Sequence, residues 1–479
     1  MGLRLWFPLA VMAATFLVFL PALHNQFVNW DDDYMLLQNE HFRGLGWSQL
    51  RWMAGAYWIG HYHPLTWLSF AIDYRLWGLD AKGAFGFHLT NVIIHALNAG
   101  LFYLLARRLL ALALPPQKGQ PDAATYVAAA LGALLFAVHP LRVESVAWAT
   151  ERRDVLSVFF LLPCLLLYLA YASGSHRRWG WYAASVAFLF LSLLCKAWGM
   201  TLPVVLLILD WYPLGRFRRS TSAGRAGSAL PLLVEKLPFV VLAAWAAYHA
   251  VQAQSSSLYT MKTLAEYGWL QRIAQGFYGI AFYLWKTLLP TGLVPIYEIP
   301  ASLDPFESRF ILAAALVVAI TVVVLAMRRR WPAGLALWGC YVIIVSPVLG
   351  LAQAGPQLVA DRYSYVACMT WALLAGAGLL RLIRFCATAQ RGVVVLTSTS
   401  IAAAGVLTVS SVLTWRQIHV WRDSETLWGH TLAIAPDSYN PLNNIATVME
   451  SRGDIAAAEQ YYRAALTLRP DGALAFTNL

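Results

Sequence analysis

Charged residues are scarce in this 479-residue chain, since Asp, Glu, Lys and Arg together make up only 12% of it. An ordinary soluble domain carries about 25%. Apolar residues make up 59%, which excludes a soluble enzyme, a disordered scaffold and a disulfide-rich secreted domain. An open β-sheet is excluded as well, because lipid cannot satisfy the polar groups at its edges. The composition therefore predicts an all-α polytopic protein embedded in the lipid bilayer.

Cysteine is also rare, and the five cysteines lie in or beside apolar runs without the CxxC spacing of a metal site. They are predicted to be buried small hydrophobic residues. The sequence has no Walker loop and no GxGxxG motif after a strand, which disfavours a nucleotide-driven pump. The net charge of +11 is expected to anchor cytosolic loops rather than to bind nucleic acid. We expect neither a nucleic-acid partner nor a bound metal.

Eleven apolar runs are predicted to cross the membrane, which takes about 20 residues per helix. They lie at about 4–24, 89–113, 125–141, 154–173, 179–195, 200–214, 238–254, 309–327, 332–350, 364–383 and 392–414. A twelfth stretch, 273–285, has only 13 uncharged residues and is predicted to be interfacial or re-entrant. The first run has a poor cleavage site for a signal peptide and is interpreted as an uncleaved span.

Charge placement supports this topology with a cytosolic N-terminus. Eleven spans bring all of the basic clusters to the cytosolic side, as the positive-inside rule requires. Of the acidic residues, only Asp122, Asp210 and Glu235 fall on or near that side. The outer face, which holds the other carboxylates, is the predicted place of the chemistry. The basic clusters are Arg107 with Arg108, Arg177 with Arg178, Arg216 to Arg225, Arg328 to Arg330, and Arg381 to Arg391.

Residues 1–415 are predicted to form the transmembrane domain, with outer loops at 25–88 and 255–308. Within the first loop, residues 64–77 place apolar side chains at helical spacing. This pattern predicts a helix in the plane of the interface. Such a helix would cap a cavity or, alternatively, contact a lipid substrate.

Residues 416–479 are polar and helical in pattern, and they form the second predicted domain. Pro436 and Pro470 are 34 positions apart, which is the period of tetratricopeptide repeats. A stable solenoid needs about three repeats, which is more than this segment holds. Ala473 to Leu479 begins another repeat and stops within a helix, so either the chain is truncated here, or this stub docks on the membrane domain.

Three adjacent carboxylates, Asp31, Asp32 and Asp33, follow the first span. Mutual repulsion and the low dielectric of a membrane surface both raise the pKa of a carboxyl group. A raised pKa favours a general base, which must accept a proton near neutral pH. The alternative interpretation is a solvated loop or a helix N-cap, because aspartate suits both.

Several outer turns place a cation beside a carboxylate. Converging cations would hold a phosphate by charge-assisted hydrogen bonds, with arginine gripping it through two donors. For each residue alone, the alternative is that its charge reaches out to the interface without a specific ligand. The residues are His139, Arg142 and Glu144 after the third span, Arg152 before the fourth, Lys196 in the next outer turn, and Asp361, Arg362 and Tyr363 before the tenth.

Short motifs stand along the chain in a distinctive order. They are Phe27 to Asp32, Tyr62 to Thr66, His88 to Asn98, His139 through Arg152 to Asp154, Leu194 to Lys196, Tyr283 to Lys286 and Ala360 to Tyr363, followed by the repeats. In this order and spacing, the chain resembles the TMTC-like membrane O-mannosyltransferases with tetratricopeptide tails, and their bacterial relatives. These proteins are part of the GT-C glycosyltransferase superfamily, so the resemblance implies a GT-C fold.

The resemblance also implies a polyprenyl-phosphate sugar donor that is used at the outer face. The family's catalytic acid pair falls on Asp31 and Asp32. Its basic positions fall on Arg152, Lys196 and Arg362, which would bind the donor phosphate. Several relatives carry a glutamate directly after the lysine, whereas this chain has alanine and tryptophan there, so a carboxylate role at that place is not implied.

Transfer of a sugar from a lipid phosphate to a hydroxyl group needs a base near the acceptor and positive charge at the leaving phosphate. We therefore expect Asp31 to act as the general base in a single inverting displacement, with Asp32 orienting the acceptor or tuning Asp31. A Ser or Thr hydroxyl of a protein acceptor would be brought in by the groove of the repeats. The residues expected to line the site are His63, His139, Arg142, Glu144, Asp361 and Tyr363.

Two other functions stay open at this point. Charges near the membrane also mark the pathways of transporters and lipid flippases, although the internal repeats that transporters often show are not seen in the sequence. A membrane-anchored scaffold that works through its repeats would tolerate the loss of the outer aspartates and arginines. The predicted location is the inner membrane of a bacterium, with the site and the tail outside the cytosol, or the endoplasmic reticulum of a eukaryote.

Overall fold

A computed structural model describes residues 3–115, 123–174, 178–217, 229–255, 263–264, 266–300, 302–350, 355–387, 392–470 and 472–478. Its helices up to residue 255 are α1 (Leu3–Phe19), α2 (Trp47–Gly55), α3 (Pro64–Trp77), α4 (Ala81–Ala113), α5 (Ala123–Ala137), α6 (Val143–Ala147), α7 (Arg152–Ser173), α8 (Trp179–Leu193), α9 (Leu202–Trp211), α10 (Leu230–Val234) and α11 (Leu237–Ser255). The later helices are α12 (Trp269–Leu288), α13 (Ser308–Ala326), α14 (Pro332–Val345), α15 (Ser364–Ala367), α16 (Met369–Cys386), α17 (Gly392–Val420), α18 (Ser424–Ile434), α19 (Tyr439–Ser451), α20 (Ile455–Leu468) and α21 (Ala473–Asn478).

Short irregular elements join these helices near the outer loops. One turn of π-helix (Asp33–Leu37) and several short 3₁₀ segments are formed, at Leu20–His24, Pro140–Arg142, Ala197–Thr201, Ser346–Val348 and Asp361–Tyr363. Strands β1 (Tyr297–Glu298) and β2 (Gln357–Val359) pair antiparallel. This small sheet ties the loop after α12 to the loop that leads into Asp361.

Six helices in the described part of the chain are long and apolar enough to cross a membrane. The predicted all-α, multi-pass class is thereby confirmed. Three other apolar runs form shorter helices, at Trp179–Leu193, Ala197–Trp211 and Pro332–Val348. Asp122, Arg177, Arg391 and residues 218–225 of the basic cluster after Arg216 lie outside the described residues. The six long helices are Leu5–His24, Gly83–Ala113, Arg152–Ser173, Ser308–Ala326, Met369–Cys386 and Gly392–Val420.

The third predicted span, 125–141, is bent rather than straight. Ala123–Ala137 and Pro140–Ala147 meet at 60°, because proline lacks the N–H of a helical hydrogen bond and disfavours helical backbone in the residue before it. The bend turns the chain sideways at His139. The following helix, α6, therefore brings Glu144 into the protein instead of continuing along the span.

Helix α4 lies at the centre of the bundle and packs on α1, α5 and α7. Its polar residues face protein, since Asn91 and Asn98 are fully buried. The Asn91 Nδ2 donates to the carbonyl of Trp148 at 3.2 Å, and the Asn98 Nδ2 donates to that of Val155 at 2.8 Å. Because buried amides need such partners, these bonds fasten α4 to the turn that precedes α7 and to the first turn of α7 itself.

The first outer loop packs back onto the bundle. The predicted helix at 64–77 forms as α3, whose Asp73 accepts a hydrogen bond of 2.9 Å from the Thr90 hydroxyl on α4. One buried cluster joins the loop to α4, and burial of such aromatic surface is the main stabilising contribution. The cluster contains Met35, Leu36, Phe42, Met53, Trp67, Phe70, Ala71, Phe87 and Ala149.

The C-terminal helices follow α17 and pack on one another as helix–turn–helix pairs. Helices α19 and α20 share a small core that includes Tyr439, Leu442, Ala458 and Tyr462. Helix α18 packs on α19, and its Trp428 is fully buried. The segment is held against the outer loops by contacts that are described below.

Candidate active site

The first of the predicted acids lies in an unusual backbone conformation. Asp31 has φ of +67°, a left-handed value that aspartate and asparagine adopt more readily than other residues with a side chain. Its side chain is half-buried. Burial raises the pKa of Asp31 above its ordinary 3.8, while the positive charges of Arg153 and Arg362 oppose the rise. A strained, partly buried carboxylate between two arginines is typical of a functional site.

The second acid is turned into the protein. Asp32 is fully buried, and its Oδ1 accepts from the Thr150 amide at 2.9 Å and from the Thr150 hydroxyl. Its Oδ2 accepts from the Val28 amide at 3.0 Å. Burial raises the pKa of Asp32 to about 7, although these hydrogen bonds lower it. Asp32 thus ties the loop before α7 to the loop that carries Asp31, and it fixes the position of its neighbour.

The N-terminus of α7 supplies a buried ion pair beside Asp31. Arg153 donates from Nε and Nη2 to one oxygen of Glu151, at 3.0 and 2.8 Å. Its third nitrogen, Nη1, is buried and has no hydrogen-bond partner among the described residues. Burial raises the pKa of Glu151, but Arg153, Lys196 and Arg362 together bring it well below the ordinary value. Glu151 is therefore ionised and holds cations in place.

Lys196, in the turn after α8, lies on the other side of Glu151. Its Nζ forms ion pairs with Glu151 and, at 2.6 Å, with Asp154, and its side chain stays 22% exposed. The indole of Trp198 also donates to Asp154, at 2.5 Å. The lysine is thus paired by acids from α7, although no acid follows it in sequence.

Arg362 is the third cation of this region, after Arg153 and Lys196. Its guanidinium forms a buried ion pair with Glu144, and its amide donates to the same carboxylate at 2.7 Å. The indole of Trp148 lies between two arginines, with Arg362 at 5.5 Å and Arg153 at 6.0 Å from its ring centre. Such cation–π contacts hold guanidinium groups in a fixed orientation.

The other predicted cation, Arg152, is not brought to this place. It is fully buried between the rings of Phe70 and Phe87 and forms an ion pair of 2.6 Å with Asp73. Its Nε donates to Asn91 at 2.7 Å, so its donors are bonded to residues of α3 and α4. Consecutive residues of a helix point about 100° apart, and the phase of α7 directs Arg153 rather than Arg152 toward Asp31.

The residues expected to line the site fall into two groups. His63, Glu144 and Tyr363 lie beside the cations. His63 stacks on Trp67 with ring centres 4.8 Å apart, and burial together with the nearby Arg153 lowers its pKa to about 3. Tyr363 lies edge-on to Trp198 at 6.4 Å. His63 thus packs on α3, whereas Tyr363 packs on the turn that carries Lys196 and Trp198.

His139, Arg142 and Asp361 serve neighbouring elements instead. The Nε2 of His139 shares a hydrogen bond of 3.1 Å with the Thr287 carbonyl. Arg142 is buried and donates to the Ser364 hydroxyl at 2.7 Å. Asp361 accepts from the Tyr297 hydroxyl at 3.0 Å, and burial raises its pKa well above the ordinary value. They support the loops around Arg362.

Three residues were absent from the predicted set, namely Glu151, Arg153 and Thr150. The turn before α7 was recognised as charged, but sequence does not show which of its side chains point together. The helical phase of α7 could have separated Arg152 from Arg153 had its first residue been known. Among the described residues, no group of three or more His, Cys, Asp or Glu side chains is arranged to hold a metal ion.

Comparison with known proteins finds relatives that are named protein O-mannosyl-transferases. The chain is 26% identical to human protein O-mannosyl-transferase TMTC1 over 96% of its own length and 54% of the relative. It is 24% identical to Drosophila melanogaster protein O-mannosyl-transferase Tmtc3 over 87% of its length and 49% of the relative. Human protein O-mannosyl-transferase TMTC2 is 32% identical over a shorter region, 33% of this chain and 17% of the relative. The resemblance predicted from the motifs is confirmed.

The chain spans about half of the length, or less, of these curated relatives. No family model matches it. Among solved structures, the crystal structure of ArnT from Cupriavidus metallidurans bound to undecaprenyl phosphate aligns with 98% of this chain and 76% of that chain, at 15% identity and a TM-score of 0.39.

Proposed function

We propose that the protein is a membrane glycosyltransferase that moves mannose or a similar hexose from a polyprenyl-phosphate donor to a hydroxyl group, Ser or Thr of a protein, at the outer face of the membrane. The observation that carries the proposal is the placement of Asp31, a half-buried carboxylate in a left-handed backbone conformation, where burial raises its pKa and the positive charges of Arg153 and Arg362 oppose the rise. Similarity to protein O-mannosyltransferases along 96% of the chain supports the same reaction class.

In the proposed reaction, the acceptor oxygen attacks the anomeric carbon of the sugar as the bond from that carbon to the phosphate oxygen breaks. The polyprenyl phosphate leaves with the electron pair of that bond, and the sugar configuration inverts. The hydroxyl proton passes to the carboxylate of Asp31. A base of this kind contributes about 10²- to 10⁴-fold, and cations that are already in place stabilise the charge that develops on the phosphate.

The cations proposed to bind the donor phosphate are Arg153, Lys196 and Arg362. Arg153 replaces Arg152 in this role, because the donors of Arg152 are already bonded to Asp73 and Asn91. The Nη1 of Arg153 has no hydrogen-bond partner in the described part of the chain, which favours an anion there, since a buried donor without a partner is costly. Asp32 is proposed to position Asp31 and not to contact the acceptor.

The protein is proposed to lie in the inner membrane of a bacterium or in the endoplasmic reticulum membrane of a eukaryote. Its active site and C-terminal helices are proposed to face away from the cytosol. The basic clusters, such as Arg328 to Arg330, are then cytosolic under the positive-inside rule. We further propose that the donor alone, without a metal cofactor, is needed.

The reaction is tested by reconstituting the protein in liposomes with radiolabelled polyprenyl-phosphate mannose and a pool of extracytosolic proteins. Asp31→Asn is compared with wild type. Asparagine tolerates the left-handed backbone, so the variant is expected to fold while the transfer rate falls about 10²-fold or more. Asp33→Asn is the matched control, because it makes the same change at a neighbouring aspartate whose side chain accepts a hydrogen bond from the Tyr34 amide.

Equal transfer by wild type and Asp31→Asn would show that Asp31 is not the base. Absence of transfer by wild type would first lead to a panel of other lipid-linked sugars. If none of these bound, the glycosyltransferase proposal would be wrong, and a transporter or scaffold would be favoured instead.

A further inference from the structure

The loop that carries Asp31 is tied to the C-terminal helices by one side chain. Asn29 donates from Nδ2 to the Asn444 carbonyl and to the Thr447 hydroxyl, both at 3.0 Å. Its Oδ1 accepts from the indole of Trp428 at 2.6 Å. Every polar atom of this side chain is therefore bonded to α18 or α19, only two residues before the proposed base.

The connection continues through a series of contacts between indole rings. Trp30 lies edge-on to Trp428, with ring centres 5.3 Å apart, and 6.2 Å from Trp148. Trp148 in turn stacks on Trp421 at 5.7 Å. Because Trp148 also lies between Arg153 and Arg362, the residues after α17 pack against the platform that orients both arginines.

A second, independent tie reaches the loop of Arg362. Glu298 accepts from the amides of Tyr439 and Asn440, at 3.0 and 2.6 Å, where α19 begins. A carboxylate at a helix N-terminus satisfies free amides and suits the helix dipole. The neighbouring residue of β1, Tyr297, donates to Asp361 at 3.0 Å, directly before Arg362 in sequence.

We propose that the C-terminal helices position the active site. They hold the loop of Asp31, the proposed base, through Asn29, and they hold the loop of Arg362, a proposed phosphate ligand, through Glu298. Asn29 and Glu298 are thus positioning residues. This role is distinct from recruiting a protein acceptor, and it rests on the proposed function for its kinetic test. A displacement of about 1 Å at a reacting group can cost about 10²-fold in rate.

The test uses the full-length protein with the donor and water or a short hydroxyl peptide as acceptor, so that docking of a protein acceptor is not needed. Asn29→Ala is expected to lower kcat about tenfold or more with little change in the donor KM. Glu298→Ala is expected to raise the donor KM, because it loosens the loop of Arg362. Asn29→Asp, which keeps the acceptor for Trp428, should recover part of the rate.

Two controls separate positioning from lost stability. Glu459→Ala breaks only an exposed pair with Arg463 and should leave both constants unchanged. Arg216→Gln removes buried ion pairs with Asp210 and Glu235, outside the proposed site, and should lower the amount of folded protein but not the kcat of the folded protein. If Asn29→Ala and Glu298→Ala turned over the short acceptor as wild type does, and only transfer to proteins fell, the helices would serve docking alone.

Hydrogen exchange gives a readout that needs no turnover. Asn29→Ala is expected to speed amide exchange at residues 26–35, whereas Glu459→Ala is not. Unchanged exchange would overturn the proposed support even if the rate fell. Faster exchange in a protein without any transferase activity would retain the support and reject the enzymatic role instead.

Discussion

At the scale of single residues, the conformation of Asp31 limits which side chains can replace it. A φ of +67° costs about 1–3 kcal/mol for most residues that carry a Cβ atom, and short polar side chains tolerate it best. The three bonds to Asp32 hold the adjacent residue in place. The aspartate pair was therefore predictable as a motif, while the division of work between the two acids depends on which one faces the core.

The two arginines of α7 should respond differently to substitution. Arg153→Gln is expected to raise the donor KM about 10- to 100-fold, because a hydrogen bond to a charged group contributes about 1.5–3 kcal/mol. Arg152→Gln is expected to lower the free energy of unfolding by about 3–5 kcal/mol, since it leaves the buried Asp73 without its partner. Donor kinetics and unfolding in detergent measure the two effects. A larger kinetic effect from Arg152→Gln in correctly folded protein would contradict the assignment.

The transfer rate should depend on pH through Asp31. The base acts only when it is ionised, and burial raises its pKa above 3.8 although Arg153 and Arg362 oppose the rise and Glu151 adds to it. The rate is therefore expected to fall with decreasing pH at values above 3.8, while the folded protein persists. The measurement is kcat/KM for the acceptor as a function of pH, with the lipid-linked donor at a saturating concentration. A rate that stays constant down to 3.8 would contradict a base with a raised pKa.

At the scale of elements, the fold positions cations at the ends of helices. Arg153 is at the start of α7, Lys196 follows α8, and Arg362 lies just before α15. Arg153 pairs with Glu151 in its own turn, whereas Lys196 and Arg362 pair with acids from other turns, Glu151 and Glu144. Helix boundaries near these residues were predictable within a few positions from the apolar runs. The last two pairs were not, because they join residues that are far apart in sequence.

A second charged network lies away from the site, among α7, α9 and α10. Arg216 forms ion pairs with Asp210 and Glu235 at 3.0 and 2.7 Å, and Lys236 pairs with Asp210 at 2.7 Å. The Tyr168 hydroxyl donates to Asp210 at 2.7 Å. Two acids that the sequence assigned to the cytosolic side are thus buried with two cations, and each charge has a partner.

Removing one member of this network should cost stability and not activity. Arg216→Gln is expected to lower the free energy of unfolding by about 3 kcal/mol or more, because it leaves two buried carboxylates, Asp210 and Glu235, to share one cation, Lys236. Thermal unfolding in detergent measures the change. Arg309→Gln is the control, since its pair with Glu307 is exposed and contributes about 1 kcal/mol or less. Equal effects of both substitutions would show that burial of the network does not matter.

At the scale of the whole molecule, the outer loops and the C-terminal helices form one contact region around Asp31. The backbone amide of Gln26 donates to the carbonyl of Arg422 at 2.8 Å, and Asn29 binds α18 and α19. These contacts come from Arg422, α18 and α19 and add buried surface between the C-terminal helices and the first loop.

The sequence by itself determined the membrane class and the helical fold, because composition and apolar period depend only on local residue types. It also gave Asp31, Lys196 and Arg362 as candidate site residues. Tertiary structure alone decided that Arg153 rather than Arg152 faces Asp31, and that Asn29 joins the loop of Asp31 to the C-terminal helices. These facts depend on helix phase, on the bend at Pro140 and on contacts across hundreds of residues, which no local pattern encodes.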